Sequence, residues 1–142
     1  MADFSTLKTQ LLSIIQELSE WDSDNSVSYP IKIEDMNEDP FLVVIASENR
    51  NEFATTSENR RTYQFTITIF VGIGSRNEQT AESVLTTLVD NIIDQIDNNT
   101  TLNDNALFTQ AVPSSWGFVD EPKRFRVAEI EVRSKTDFSV TP

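Results

Sequence analysis

A chain of 142 residues has the size of one ordinary domain and can bury roughly two-thirds of its unfolded surface in a single core. Its 23 acidic residues against 11 basic ones leave a net charge of -12, which disfavours readers of nucleic-acid phosphates and of anionic membranes. Cysteine and histidine are both absent, which excludes disulfides, thiolate nucleophiles, Cys-type zinc sites and histidine-based triads, and confines any chemistry to carboxylate, Lys, Tyr or Ser.

In chain order, Phe4, Leu7, Leu11, Ile14, Ile15 and Leu18 recur at helical spacing, so a first helix is expected over about residues 4–20, with Trp21 closing its last turn on the core. The segment Met1 to Glu20 has no basic stretch followed by an apolar one, and is expected not to be a signal peptide. A polar turn at 22–26 leads to a short stretch, Val27 to Ile33, interrupted by Pro30 and therefore expected at a sheet edge. Glu34 to Pro40 is an acidic connector. Phe41 to Ser47 is apolar and β-branched, as a buried strand requires. Its aliphatic core, Phe41 to Ala46, falls far short of the roughly 20 residues that span a bilayer, so a soluble protein made in a cytoplasm is expected.

Glu48 to Asn59 is polar and is expected to form the long, flexible tip of a hairpin. It contains an echo, Ser47-Glu48-Asn49-Arg50 and Ser57-Glu58-Asn59-Arg60, far shorter than any structural repeat. From Arg61 to Val71 the residues Tyr63, Phe65, Ile67, Ile69 and Val71 alternate with Thr62, Gln64, Thr66 and Thr68, the period of a half-buried strand. From Glu78 onward, Ala81, Val84, Leu85, Leu88, Val89, Ile92, Ile93 and Ile96 form a helical stripe opposite Glu82, Asp90, Asp94 and Asp97. An Asn/Asp/Thr-rich loop covers 97–105, a strand is expected at 107–112, and Pro113 to Gly117 reads as a turn. The last strand is expected over Arg124 to Arg133, where a change of apolar parity suggests a bulge near Ala128 and Glu129, and 136–142 is expected to be a tail.

The order of elements indicates one α+β domain over 1–142, a mainly antiparallel sheet of about four to five strands with two helices packed on one face. A parallel doubly wound fold fits poorly, because the long strand carries a polar threonine face. The glycines of Gly72-Ile73-Gly74 lack the third glycine of a dinucleotide fingerprint, since Asn77 stands there; Ser75 and Glu78 instead have the spacing of a capping box. Asp90, Asp94 and Asp97 share a helical face, but one helix offers too few oxygens for a hard cation, and the loop at 97–105 lacks the glycine and glutamate of an EF-hand. Asn99-Thr100-Thr101 matches a glycosylation sequon without a secretory signal. No cofactor, metal or catalytic residue is expected, and the chain is not expected to be an enzyme. Lys123, Arg124, Arg126, Arg133 and Lys135 concentrate positive charge on the final strand and its flanks. They either balance acids within the fold or form the basic edge of a head-to-tail interface.

Five features in this order, namely the helix Phe4 to Leu18, the strand Arg61 to Ile67, the helix Ala81 to Ile96, the Leu102 loop and the strand Val127 to Val132, resemble the tail terminator, or tail-completion, proteins of long-tailed bacteriophages. The resemblance covers about residues 4–133. It implies a hexameric ring in the virion, assembled in the host cytoplasm, that sits on the head-proximal end of the tail tube, contacts the tube protein and a neck or head-completion protein, and lets DNA pass without sticking. No membrane contact is implied. On that basis Glu34, Asp35, Glu38 and Asp39 are candidate lumen acids. Glu48, Arg50, Glu52, Phe53, Arg60, Arg124 and Arg126 are candidate contacts to neighbouring subunits or the tube. Other neck or minor tail proteins share the pattern, and an acidic DNA mimic that binds a basic partner is a further alternative.

Overall fold

A computed structural model describes residues 4–36, 38–53, 58–73, 77–120 and 124–139, with backbone alone for 48–53, 58–60 and 137–139. The elements are α1 (Phe4–Ile15), β1 (Ser26–Val27), a 3-10 turn (Ile33–Asp35), β2 (Phe41–Phe53), β3 (Glu58–Gly72), α2 (Glu78–Asp97), β4 (Phe108–Val119) and β5 (Phe125–Ser139). The strands form one sheet in the order β1-β2-β3-β5-β4, antiparallel throughout except for the β1–β2 pair. This is the α+β architecture that the alternation of periods predicts.

Alternation along β3 decides what each face of the sheet does. Tyr63, Phe65, Ile67, Ile69 and Val71 are all buried, and each is worth roughly 1.5–3 kcal/mol of transfer free energy. Their direct neighbours Leu42 and Val44 on β2, and Ala128, Ile130 and Val132 on β5, point the same way. Leu7, Leu11, Ile14 and Ile15 of α1 and the stripe Ala81, Leu85, Leu88, Val89, Ile92 and Ile96 of α2 close over them as one core. Both helices therefore cover the same face. Phe4 fixes the end of α1 by edge-to-face contacts with Tyr63 at 4.6 Å and Phe65 at 5.7 Å.

The opposite face carries the threonines Thr62, Thr66 and Thr68, but one end of it is covered. There Met36, Phe41 and Val43 form a second cluster with Val27, Ile31, Ile33, Ile45 and Phe70. Phe70 also meets Phe125 edge-on at 5.8 Å.

Several boundaries differ from expectation. Helix α1 ends at Ile15, because Glu17, Leu18 and Trp21 donate their N–H groups three residues back and tighten the chain into turns. The edge strand expected at 27–33 shrinks to Ser26–Val27, since Ile31 and Ile33 turn onto the second cluster instead of pairing. The expected hairpin tip is mostly ladder, with β2 continuing to Phe53 and β3 starting at Glu58, because backbone pairing does not require apolar side chains. Residues 54–57 of that tip lie outside the described residues. Pro113 to Gly117 is not a turn but the middle of β4, with a register shift between Pro113 and Ser115. β5 pairs with β3 without a break and extends to Ser139, so 136–139 are strand and not tail, and 140–142 lie outside the described residues. The parity change in β5 has a different cause from a bulge. Phe125 and Val127 face the second side of the sheet, while Ala128, Ile130 and Val132 face the helices.

Helix α2 is capped by Asn77, whose side-chain oxygen accepts the Thr80 N–H at 2.7 Å; Ser75 lies outside the described residues. After α2, Leu102, Asn103 and Asp104 all take left-handed backbone angles, with φ of 48, 59 and 67. Such angles cost about 1 kcal/mol or more apiece in a non-glycine residue. Burial of Leu102, the bond from Asn103 N–H to Asn99 Oδ1 at 3.0 Å, and the bond from Asn103 Nδ2 to Gln10 Oε1 at 2.9 Å hold the turn in place.

Candidate functional site

The connector that carries the four candidate acids packs on the second face of the sheet. Ile31, Ile33 and Met36 anchor the connector on the second cluster, and Glu34, Asp35, Glu38 and Asp39 remain exposed. Asp39 also braces the fold, since its Oδ1 accepts the Gly72 N–H at 2.9 Å. A Cβ at position 72 would lie 2.5 Å from Asp39 Oδ2, so a larger residue there would displace the Asp39 carboxylate.

The second predicted group lies along the far ends of β2 and β3. The register sets Glu48 opposite Gln64, Arg50 opposite Thr62, Glu52 opposite Arg60 and Phe53 opposite Asn59. Their positions are therefore on a paired ladder and not on a free tip; the side chains of 48–60 are outside what is described.

Arg124 and Arg126 are engaged within the fold. Arg126 Nε meets Glu82 of α2 at 2.6 Å, its Nη1 donates to the Gly117 carbonyl at 2.9 Å, and its guanidinium lies 4.7 Å from the Phe118 ring centre and 5.8 Å from that of Trp116. Arg124 pairs with Glu78 at 3.2 Å and Asp120 at 3.3 Å, and stands 5.9 Å from Phe118. A planar guanidinium can bond in its plane and stack on a ring at once, so the two arginines tie α2 to β4 and β5. Of the two roles open for these residues, balancing acids inside the fold is the one seen for this pair. Arg133 is likewise paired with Glu131 at 3.0 Å, while Lys135 is exposed.

The surface that sequence reasoning missed is β4. It is the outer strand of the sheet, is twelve residues long, and carries no charged residue. Val112, Trp116, Phe108 and Phe118 on it, and Leu107 just before it, are 41–55% exposed. The extra residue at the register shift changes which side they present. Phe108 and Val112 stand beside Lys135 and Glu131 on the second face, whereas Trp116 and Phe118 stand beside Ala128 and Arg126 on the helix face. Both sides of this edge are thus apolar and accessible. The signal lies in the alternation Trp116-Gly117-Phe118, but Pro113 masks it by reading as a turn residue, although an outer strand tolerates proline.

Long, uncharged outer strands with exposed aromatic residues are ready partners for another chain. The aspartates of α2, Asp90, Asp94 and Asp97, are not placed with other acids to hold a metal ion, and no group of three or more Asp or Glu residues is so placed among the described residues. No helix among the described residues is long and apolar enough to cross a membrane. Comparison with protein-family models and with curated proteins finds no match to this chain.

Proposed function

We propose that this protein is a structural component of a bacteriophage virion that forms a ring on the head-proximal end of the tail tube, stops its growth, and joins the tail to the neck. The observation that carries this reading is the outer strand β4, an apolar edge of the kind that self-assembling subunits bury. The helix-strand-helix-strand pattern on which the family resemblance rests supports it, since those segments make up one core with both helices on the same face. The net charge of -12 supports passage of DNA through such a ring, because acids lining a channel repel phosphates within a screening length of about 8 Å. Two exposed acidic surfaces are available for that lining, the connector and the outer side of α2.

The reading is tested in virions that encode the protein. Removing it is expected to give tails of uncontrolled length that do not join heads, and the purified chain is expected to form rings with a central channel by negative-stain imaging. Tails of normal length joined to heads in its absence would refute the assignment.

A further inference from the structure

Along β5 the charges on the second face are sorted by sign. Glu129, Glu131, Arg133 and Lys135 stand at alternate positions beside Thr68, Thr66, Gln64 and Thr62 of β3, while Ile130, Val132 and Ser134 between them are buried under the helices. Two acids are thus followed by two bases, spaced about 7 Å apart along an unbroken strand. Only the middle pair is neutralised within the chain: Arg133 donates from Nε and Nη2 to the single oxygen Oε1 of Glu131, at 3.2 and 3.0 Å. The side chains of Glu129 and Lys135, at the two ends of the run, make no ion pair among the described residues.

Such a run is its own complement when reversed. About a two-fold axis crossing β5 at Val132, Glu131 of one copy stands over Arg133 of the other, and Glu129 over Lys135; with the strands parallel, like charges would meet. The layer above the sheet selects the same orientation. The connector's cluster occupies one end of the second face, reaching Phe70 on β3 and Ile45 on β2, whereas Thr62 and Gln64 at the other end stay half-exposed. Sheets packed face to face lie about 10 Å apart, room for one layer. Reversal sets the two connectors at opposite ends of that shared layer, and a parallel arrangement would drive one into the other. Reversal also brings the exposed Phe108 and Val112, which lie on this face beside Lys135 and Glu131, under β4 of the second copy.

We infer that two copies of this chain pack second face to second face about this axis, with Glu129 and Glu131 of each against Lys135 and Arg133 of the other. An isolated exposed ion pair contributes little, but here the crossed pairs join the two internal Arg133–Glu131 bonds in one network at the axis. Charge fixes orientation and register, and the apolar side chains of β4 supply area. The same surface meets itself, so the contact closes after two copies. It leaves the outer backbone edge of β4 open and stands apart from the ring reading.

Sedimentation of wild type and of charge variants tests this. Arg133→Glu with Lys135→Glu, and separately Glu129→Lys with Glu131→Lys, should each weaken pairing about tenfold or more, and mixing the two should restore it. Swapping all four signs in one chain keeps the composition and the self-complementarity. That swapped chain should pair with itself within about threefold of wild type, yet form no mixed pairs with wild type, because acids would then meet acids. Wild type alone gives a measurement that needs no variant to fold: raising salt from about 0.05 M to about 0.5 M should weaken pairing about threefold or more. A wild type that sediments as a monomer, pairing indifferent to salt and to both half-reversals, or a folded swapped chain that pairs with wild type as readily as with itself would overturn the inference. Rings that form whatever these charges leave the ring reading standing and remove this contact; charge-dependent pairs without rings do the opposite.

Discussion

Replacing Asp39 and Gly72 singly and together isolates a contact between the connector and the end of β3. The Asp39 carboxylate accepts the N–H of Gly72, a buried residue, at 2.9 Å, and hydrogen bonds to charged groups contribute about 1.5–3 kcal/mol. Asp39 is exposed, so water replaces part of what is lost, and Asp39→Ala should cost about 1.5 kcal/mol. In Gly72→Ala the new methyl group would sit 2.5 Å from Oδ2 and must push the carboxylate away, which breaks the same bond. Alanine also restricts the unfolded chain and returns about 0.5 kcal/mol, so the net cost is about 1 kcal/mol. In the double variant the bond is lost once and the clash is gone. It should cost about 1 kcal/mol, where independent effects would give about 2.5 kcal/mol. Urea denaturation followed by the fluorescence of Trp21, which is buried, gives each value from the midpoint at constant slope. Additivity within about 0.3 kcal/mol would show that the two residues do not share the contact.

Three further outcomes follow from the packing. Leu102→Ala should cost about 2–4 kcal/mol by thermal or urea unfolding, because a buried side chain is lost from a turn that already holds three left-handed residues. Asp104→Gly, exposed in that same turn, should stay within about 0.5 kcal/mol of wild type, relief of backbone strain offsetting a looser unfolded chain. Asn77→Ala should cost about 1 kcal/mol by removing the α2 cap, and Asn77→Ser should recover most of it. Arg126→Met should cost about 1 kcal/mol, since its stem still packs while its bonds to half-exposed Glu82 and to the Gly117 carbonyl disappear; near-ultraviolet circular dichroism should also register the changed surroundings of Trp116.

Periodicity makes β3 and α2 legible to within a few residues, because each has one face buried by many neighbours and the apolar stripe records that burial directly. The far halves of β2 and β3 are not legible in this way. Residues such as Glu48, Arg50 and Glu52 sit in a ladder built from backbone groups, and composition carries no trace of those. β4 escapes for a related reason: an outer strand need not alternate, and Pro113 with an inserted residue breaks what alternation there is. The apparent fault in β5 is a shift of burial from one sheet face to the other, visible only once Phe70 and the connector are known to cover the second face. Arg124 and Arg126 stand out in the sequence as a group of cations, but their partners Glu78 and Glu82 lie more than forty residues away in the chain and meet them only through the packing of α2 on the sheet.

The strand order also sets a schedule for synthesis. β5 is made last, yet it lies between β3 and β4 and pairs with both along nearly its whole length. Until residues 125–139 have left the ribosome, β3 has an uncovered edge and β4 has no strand to join. A nascent or truncated chain therefore exposes the second edge of β3 and leaves β4 without a partner strand, and is prone to pair with its neighbours on the same message before it can pair with itself. Final closure of the sheet belongs to β5, so truncation within it should convert an assembling subunit into an aggregating one.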